Sequence, residues 1–234
     1  MISTNLDHIR KVIAKAAEKS GRNVDEIQLL AVSKRIDVKI IEEARQCGQK
    51  LFGENFIQEA EAKIDQLDPS IAWHFIGHLQ SNKAKHAARL FQLVETVDRL
   101  KLAQTLDRHA ADLGKPLDIL VQINVGRELQ KSGVLPQKAE ELTREIKKLK
   151  HLRIRGLMTM PPYTDDPELS RPYFKSLKKI ADDFNRKGYF SKDAQLILSM
   201  GMSADYPIAI EEGATLVRVG TAIFGQRDQI KEHS

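Results

Sequence analysis

A single cysteine, Cys47, occurs in 234 residues. No disulfide can therefore form within the chain, and a lone thiol in Ala44-Arg45-Gln46-Cys47-Gly48 at a predicted helix end suits a reducing compartment. The expected location is the cytoplasm. No stretch approaches the roughly 18 apolar residues needed to cross a bilayer, so no membrane insertion is expected. Residues 1–21 lack the continuous apolar centre of a signal peptide. Instead Leu6, Ile9, Ile13, Ala16 and Ala17 recur on one helix face, which predicts an amphipathic helix. No Gly/Ser linker, low-complexity tract or proline-rich hinge divides the sequence, so 1–234 is expected to be one domain, and a 41% hydrophobic content can supply its core. The net charge of +5 is small against 37 basic and 32 acidic side chains. Basic residues are scattered apart from Lys147, Lys148 and Lys150, with no basic stripe interleaved with aromatics, so nucleic acid is not an expected partner.

Against those absences stand eight short apolar runs, 27–34, 50–55, 72–77, 92–97, 117–125, 153–160, 195–201 and 215–225, each ending in a polar or glycine-bearing tip. They are rich in Val, Ile, Leu and Phe without clean alternation, the pattern of parallel strands buried on both faces. Helical periodicity fills 37–48, 56–66, 79–90, 98–113, 136–149, 167–187 and 203–213. The clearest case is 98–113, where Leu102, Ala103, Leu106, Ala110 and Leu113 share a face behind a predicted Asp98 cap. Pro136 and Pro167 suit first turns of helices, and Gly48 and Gly114 suit left-handed caps after them. A helix between each pair of strands permits parallel pairing through right-handed crossovers. The predicted fold is α/β, a single (β/α)8 TIM barrel with an extra N-terminal helix. A doubly wound open sheet competes, but a dinucleotide site there needs a glycine-rich turn after the first strand, and Ser33-Lys34-Arg35-Ile36-Asp37 has no glycine.

In such barrels the active site lies at the C-terminal ends of the strands, so the tips form a list of candidates: Lys34, Asn55, His74, Ser199, Arg218 and Thr221. Lys34 ends the first run, where partial desolvation favours the neutral, nucleophilic amine that a Schiff-base lysine requires. Position alone leaves open a lysine that simply reaches solvent. Ser199-Met200-Gly201-Met202-Ser203 and Gly220-Thr221 close the barrel. Small residues there let backbone N–H groups approach an anion, hydroxyls add donors, and loops seven and eight are the usual barrel phosphate site. Glycines serving only tight turns remain the alternative. Arg218, between two valines, needs a specific acceptor if buried, and a heterocyclic nitrogen fits. His74 and His78 lie four apart without a third ligand on that tip, so hydrogen-bonded histidines and no metal are expected. Asn55 can orient a ligand or satisfy its own loop. The loop of Pro161, Pro162 and Tyr163 is placed to cover the mouth.

Taken together, these motifs resemble the pyridoxal-phosphate homeostasis proteins, relatives of the alanine racemase barrel domain, from the first helix to residue 228. They run in order from Ala31-Val32-Ser33-Lys34, through Phe52-Gly53-Glu54-Asn55 and Trp73-His74-Phe75-Ile76-Gly77, to Lys131-Ser132-Gly133. They continue through Arg155-Gly156-Leu157-Met158 and the two closing tips. Phe56, where the family often has tyrosine, and Tyr206-Pro207 depart from its pattern. The resemblance implies that Lys34 forms the internal aldimine with pyridoxal 5′-phosphate and that Arg218 faces the pyridine nitrogen. It places Ser199, Gly220 and Thr221 on the phosphate, Asn55 along the pocket, and Lys83 and Lys131 near the mouth. It also implies a non-catalytic, monomeric cofactor carrier in vitamin B6 homeostasis, with pyridoxal-phosphate apo-enzymes as recipients. An arginine at the ring nitrogen makes a weak electron sink, and the chain has no length for the second racemase domain. An amino-acid racemase-like enzyme is the alternative.

Overall fold

Each of the eight apolar runs supplies one strand, the sixth beginning one residue before its run, at Leu152. In the computed structural model, which describes residues 1–193 and 195–225, these are β1 (Gln28–Val32), β2 (Leu51–Glu54), β3 (Ala72–Phe75), β4 (Leu93–Val97), β5 (Leu117–Gln122), β6 (Leu152–Met158), β7 (Ile197–Ser199) and β8 (Leu216–Val219). All neighbours pair in parallel and β8 returns to β1, closing the barrel in sequence order. The helices are α1 (Ile2–Lys19), α2 (Val38–Gln46), α3 (Ile57–Ile64), α4 (Ala84–Leu90), α5 (Leu100–Asp112), α6 (Pro136–Ile146), α7 (Arg171–Arg186), α8 (Tyr206–Glu211) and the short α9 (Thr221–Phe224). Among the described residues no helix is long and apolar enough to cross a membrane. Residues 226–234 of the expected domain lie outside the described residues.

Local chemistry sets several boundaries. Pro136 occupies the first turn of α6, where its missing N–H costs nothing, while Gly48 and Gly114 take positive φ after α2 and α5. Pro167 opens a 3-10 turn instead of a helix: Asp166 caps it by accepting from the Glu168 N–H, and α7 begins only at Arg171. Asp98 is not the cap of α5. Arg99 occupies that position, and Asp98 is spent on an ion pair with Arg99 and on the Gly133 N–H. The last run is also shorter as a strand than expected, because residues 221–224 turn into α9.

The main core lies between the sheet and its helices, and the predicted face of α1 is buried in it against α8 and α9. Two smaller apolar clusters are separate from that layer. Leu30, Ile76 and Leu216 form one, with Leu93, Leu120 and Met158 forming the other. Because side chains alternate along a strand, the residues two positions beyond Leu93, Ile197 and Leu216 share their face. Those residues are Glu95, Ser199 and Arg218, so a polar layer sits inside the barrel above an apolar one.

Candidate functional site

The tips of the strands enclose a cavity of about 630 Å³. Lys34 enters from the turn after β1, Asn55 from beyond β2, Thr96 from β4, and Gln122 with Lys131 and Ser132 from β5 and its loop. Met160, Pro161 and Tyr163 follow β6, Ser203 and Ala204 follow β7, β8 supplies Arg218, and Gly220 and Thr221 follow it at the start of α9. Ile76, Val32 and Met160 make part of the wall apolar. The Gly220 N–H meets Ser203 Oγ at 3.4 Å, so two small polar groups from adjacent tips converge. Asn55 is held close to the next tip: a Cβ on Gly77 would collide with the Asn55 main chain, so only glycine fits there.

Two buried polar networks lie behind this cavity. The first crosses the barrel interior. Ser199 Oγ donates to Glu95 Oε2 at 2.5 Å although β7 and β4 are not neighbours, and it accepts a hydrogen bond from Arg218. The same guanidinium donates to the Thr159 carbonyl at 2.8 Å and lies 3.9 Å from Glu95 Oε2. His74 Nδ1 meets Glu95 Oε1 at 2.8 Å. Arg218 is 3% exposed and Glu95 fully buried, a pairing whose loss on one side costs about 3–5 kcal/mol. Burial pulls the Arg218 pKa down, and the charges of Glu95 and Asp205 oppose that shift.

The second network grips the backbone on either side of Lys34. Lys63 on α3 donates to the Ser33 carbonyl at 2.7 Å, to Glu54 at 2.9 Å and to Glu59 at 2.6 Å. Ser33 Oγ donates to Glu54 at 2.6 Å, and the Arg35 N–H donates to Glu59. Arg35 takes φ +59°, unusual for a side chain with a Cβ, and this bracing holds it there.

Of the residues singled out in the sequence, Lys34, Asn55, Arg218, Gly220 and Thr221 line the one cavity. Ser199 lies directly beneath, fully buried, with its single proton committed to Glu95. Ser203, from the same motif, is the hydroxyl on the cavity wall. His74 is not a mouth residue: it sits in the body of β3 and lines a groove with Gln28, Lys50 and Ala72 at the strands' N-terminal ends. His78 does reach the mouth and pairs with Ser132 Oγ at 3.0 Å. Among the described residues no His, Cys, Asp and Glu cluster suits a metal ion. Lys131 lines the mouth, bound to the Pro161 carbonyl and Glu128, whereas Lys83 lies outside the cavity wall. Glu95 and Lys63 were missed. A carboxylate inside Leu93-Val94-Glu95-Thr96-Val97 signals a buried acceptor as plainly as Arg218 does, whereas Lys63 looks like any helix lysine.

Residues 4–228 match the family model described as alanine racemase, N-terminal domain. The pyridoxal phosphate homeostasis protein of Aquifex aeolicus is 41% identical over 95% of this chain and 96% of its own. That of Escherichia coli is 41% identical over 99% of each chain. Among solved structures, PipY of Synechococcus elongatus with pyridoxal phosphate bound superposes at TM-score 0.83, 34% identical, covering 96% of this chain and all of its own. An alanine racemase from Clostridium difficile shares the fold at TM-score 0.75 and 16% identity, with this chain covering 57% of it.

Proposed function

Because the chain belongs to the family of pyridoxal phosphate homeostasis proteins, we propose that it binds pyridoxal 5′-phosphate at the barrel mouth and serves vitamin B6 homeostasis without turning over a substrate. The observation that carries this reading is the shared cavity: a lysine amine, a buried guanidinium and a pair of small polar tips open into one space of about 630 Å³. The donor set fits the cofactor. Gly220, Thr221 and Ser203 would offer hydroxyl and amide hydrogens to a phosphate, Lys34 Nζ would be the group that holds the aldehyde carbon, and Asn55 lines the same pocket. Ser199 acts from behind, through Arg218.

When bound, the cofactor supplies an electron sink whose strength depends on the charge at its ring nitrogen. Arg218 can only donate, so it favours an unprotonated nitrogen and a weak sink. That supports holding and delivery to pyridoxal-phosphate apo-enzymes over catalysis. The test is the visible spectrum of the parent and Lys34→Ala after addition of pyridoxal 5′-phosphate. The parent is expected to turn yellow, and the variant to lose or shift the band; a colourless parent in excess cofactor would falsify the reading. Incubating the loaded parent with single-enantiomer amino acids in deuterated water is expected to leave the alpha hydrogen in place. Exchange that vanishes in Lys34→Ala would make the protein a racemase-like enzyme instead.

A further inference from the structure

We propose that Glu95 is the positioning residue of this site: through Ser199 it fixes the Arg218 guanidinium, and its charge tunes the field that Arg218 presents to the ring nitrogen of the bound cofactor. The inference rests on the cofactor reading above. Its basis is the direction of the hydrogen bonds. Arg218 has no acceptor and an ionised Glu95 has no donor, so the lone Ser199 proton points towards Glu95 and its oxygen is left to receive Arg218. The other carboxylate oxygen is pinned by His74 Nδ1. The second arm of the guanidinium is tied to the Thr159 carbonyl, so the side chain has two fixed donors and one face left for the cavity.

The charged and titratable groups around this network come from several elements. Glu95 comes from β4, His74 from β3 and Arg218 from β8, Asp205 precedes α8, and Lys34, His78, Lys131 and Tyr163 share the cavity from the turns after β1, β3, β5 and β6. Glu95 is the fully buried carboxylate nearest the guanidinium, at 3.9 Å. It lies in the stretch of β4 where the register with β5 shifts between Val94 and Val97, an irregularity of the kind that re-aims side chains. Cancelling its charge while keeping its shape exposes the cavity to the full positive charge of Arg218.

The experiment uses the full chain loaded with pyridoxal 5′-phosphate carrying a labelled ring nitrogen. Two quantities are read: the pH midpoint of the visible band and the nuclear resonance of the ring nitrogen. In Glu95→Gln the midpoint is expected to fall by about one pH unit, the scale of one unit charge removed at several ångströms in a protein interior. In Ser199→Ala the ring-nitrogen resonance is expected to move towards that of a free, unprotonated pyridine, because Arg218 loses the acceptor that aims it. Far-ultraviolet circular dichroism reports whether each variant folds, and Ser199→Ala decides alone if Glu95→Gln does not. Parent-like midpoint and resonance in the folded variants overturn the proposal and leave Glu95 a packing residue. A parent with no visible band overturns the cofactor reading itself, a distinct result.

Discussion

Glu54 is fully buried, and while one of its oxygens serves Ser33 and Lys63, Oε2 has no hydrogen-bond partner. Burial pushes its carboxyl above the ordinary 4.5, with Lys63 pulling the other way. A carboxyl raised in the folded state contributes stability that is complete below its unfolded value and lost as pH rises through the folded one. Glu54→Gln removes that loss while keeping an acceptor for Ser33. Its stability relative to the parent is therefore expected to improve as pH rises above about 4.5, as measured by urea denaturation across a pH series. Parallel pH profiles for the two proteins would mean that Lys63 holds the carboxyl ionised. At this scale the sequence was legible where a residue looked out of place, as Arg218 does between two valines. It was not legible which of Ser199 and Ser203 lines the cavity, because that depends on where β7 ends, at Ser199.

Strands and helices were easier to foresee than the directions of their side chains. Burial on both faces leaves a compositional mark on every strand, and Gly48, Gly114 and Pro136 mark helix ends through backbone conformation alone. The departures have a common cause. Asp98 was drawn from a capping role by Arg99 and Gly133, partners that local sequence cannot reveal, and His74 was drawn into the barrel by a carboxylate on the next strand. Gly77 belongs to this scale because it sets how closely two tips approach. Gly77→Ala is expected to push the Asn55 main chain outward at a cost of about 1–3 kcal/mol, together with weaker retention of pyridoxal 5′-phosphate. Denaturant titration and equilibrium dialysis measure the two effects, and a variant with parent-like retention would show that Asn55 does not order the pocket.

The barrel closes where β8 meets β1, beside the three-residue β7, and the cavity draws Ser203, Thr221 and Lys34 from those adjacent tips. A ligand spanning them ties the closing strands together. At a hundredfold excess over its Kd, pyridoxal 5′-phosphate is expected to add about 2.7 kcal/mol to stability. Amide hydrogen exchange should slow in β7, β8 and β1 more than in β4 or β5, and uniform slowing would place the ligand elsewhere. The same closing region is reached from outside by α1. Asn5 donates to the Ile223 carbonyl, Lys19 pairs with Glu211, and Arg22, just past the helix, donates to the carbonyls of Ile210 and Ala214, all contacts about 190 residues or more apart in sequence. On a ribosome, α1 therefore emerges long before α8 and α9, its main receivers, exist. Its stripe of Leu6, Ile9 and Ile13 is completed as a buried face only at the end of synthesis, and until then it is an apolar surface for a chaperone to shield.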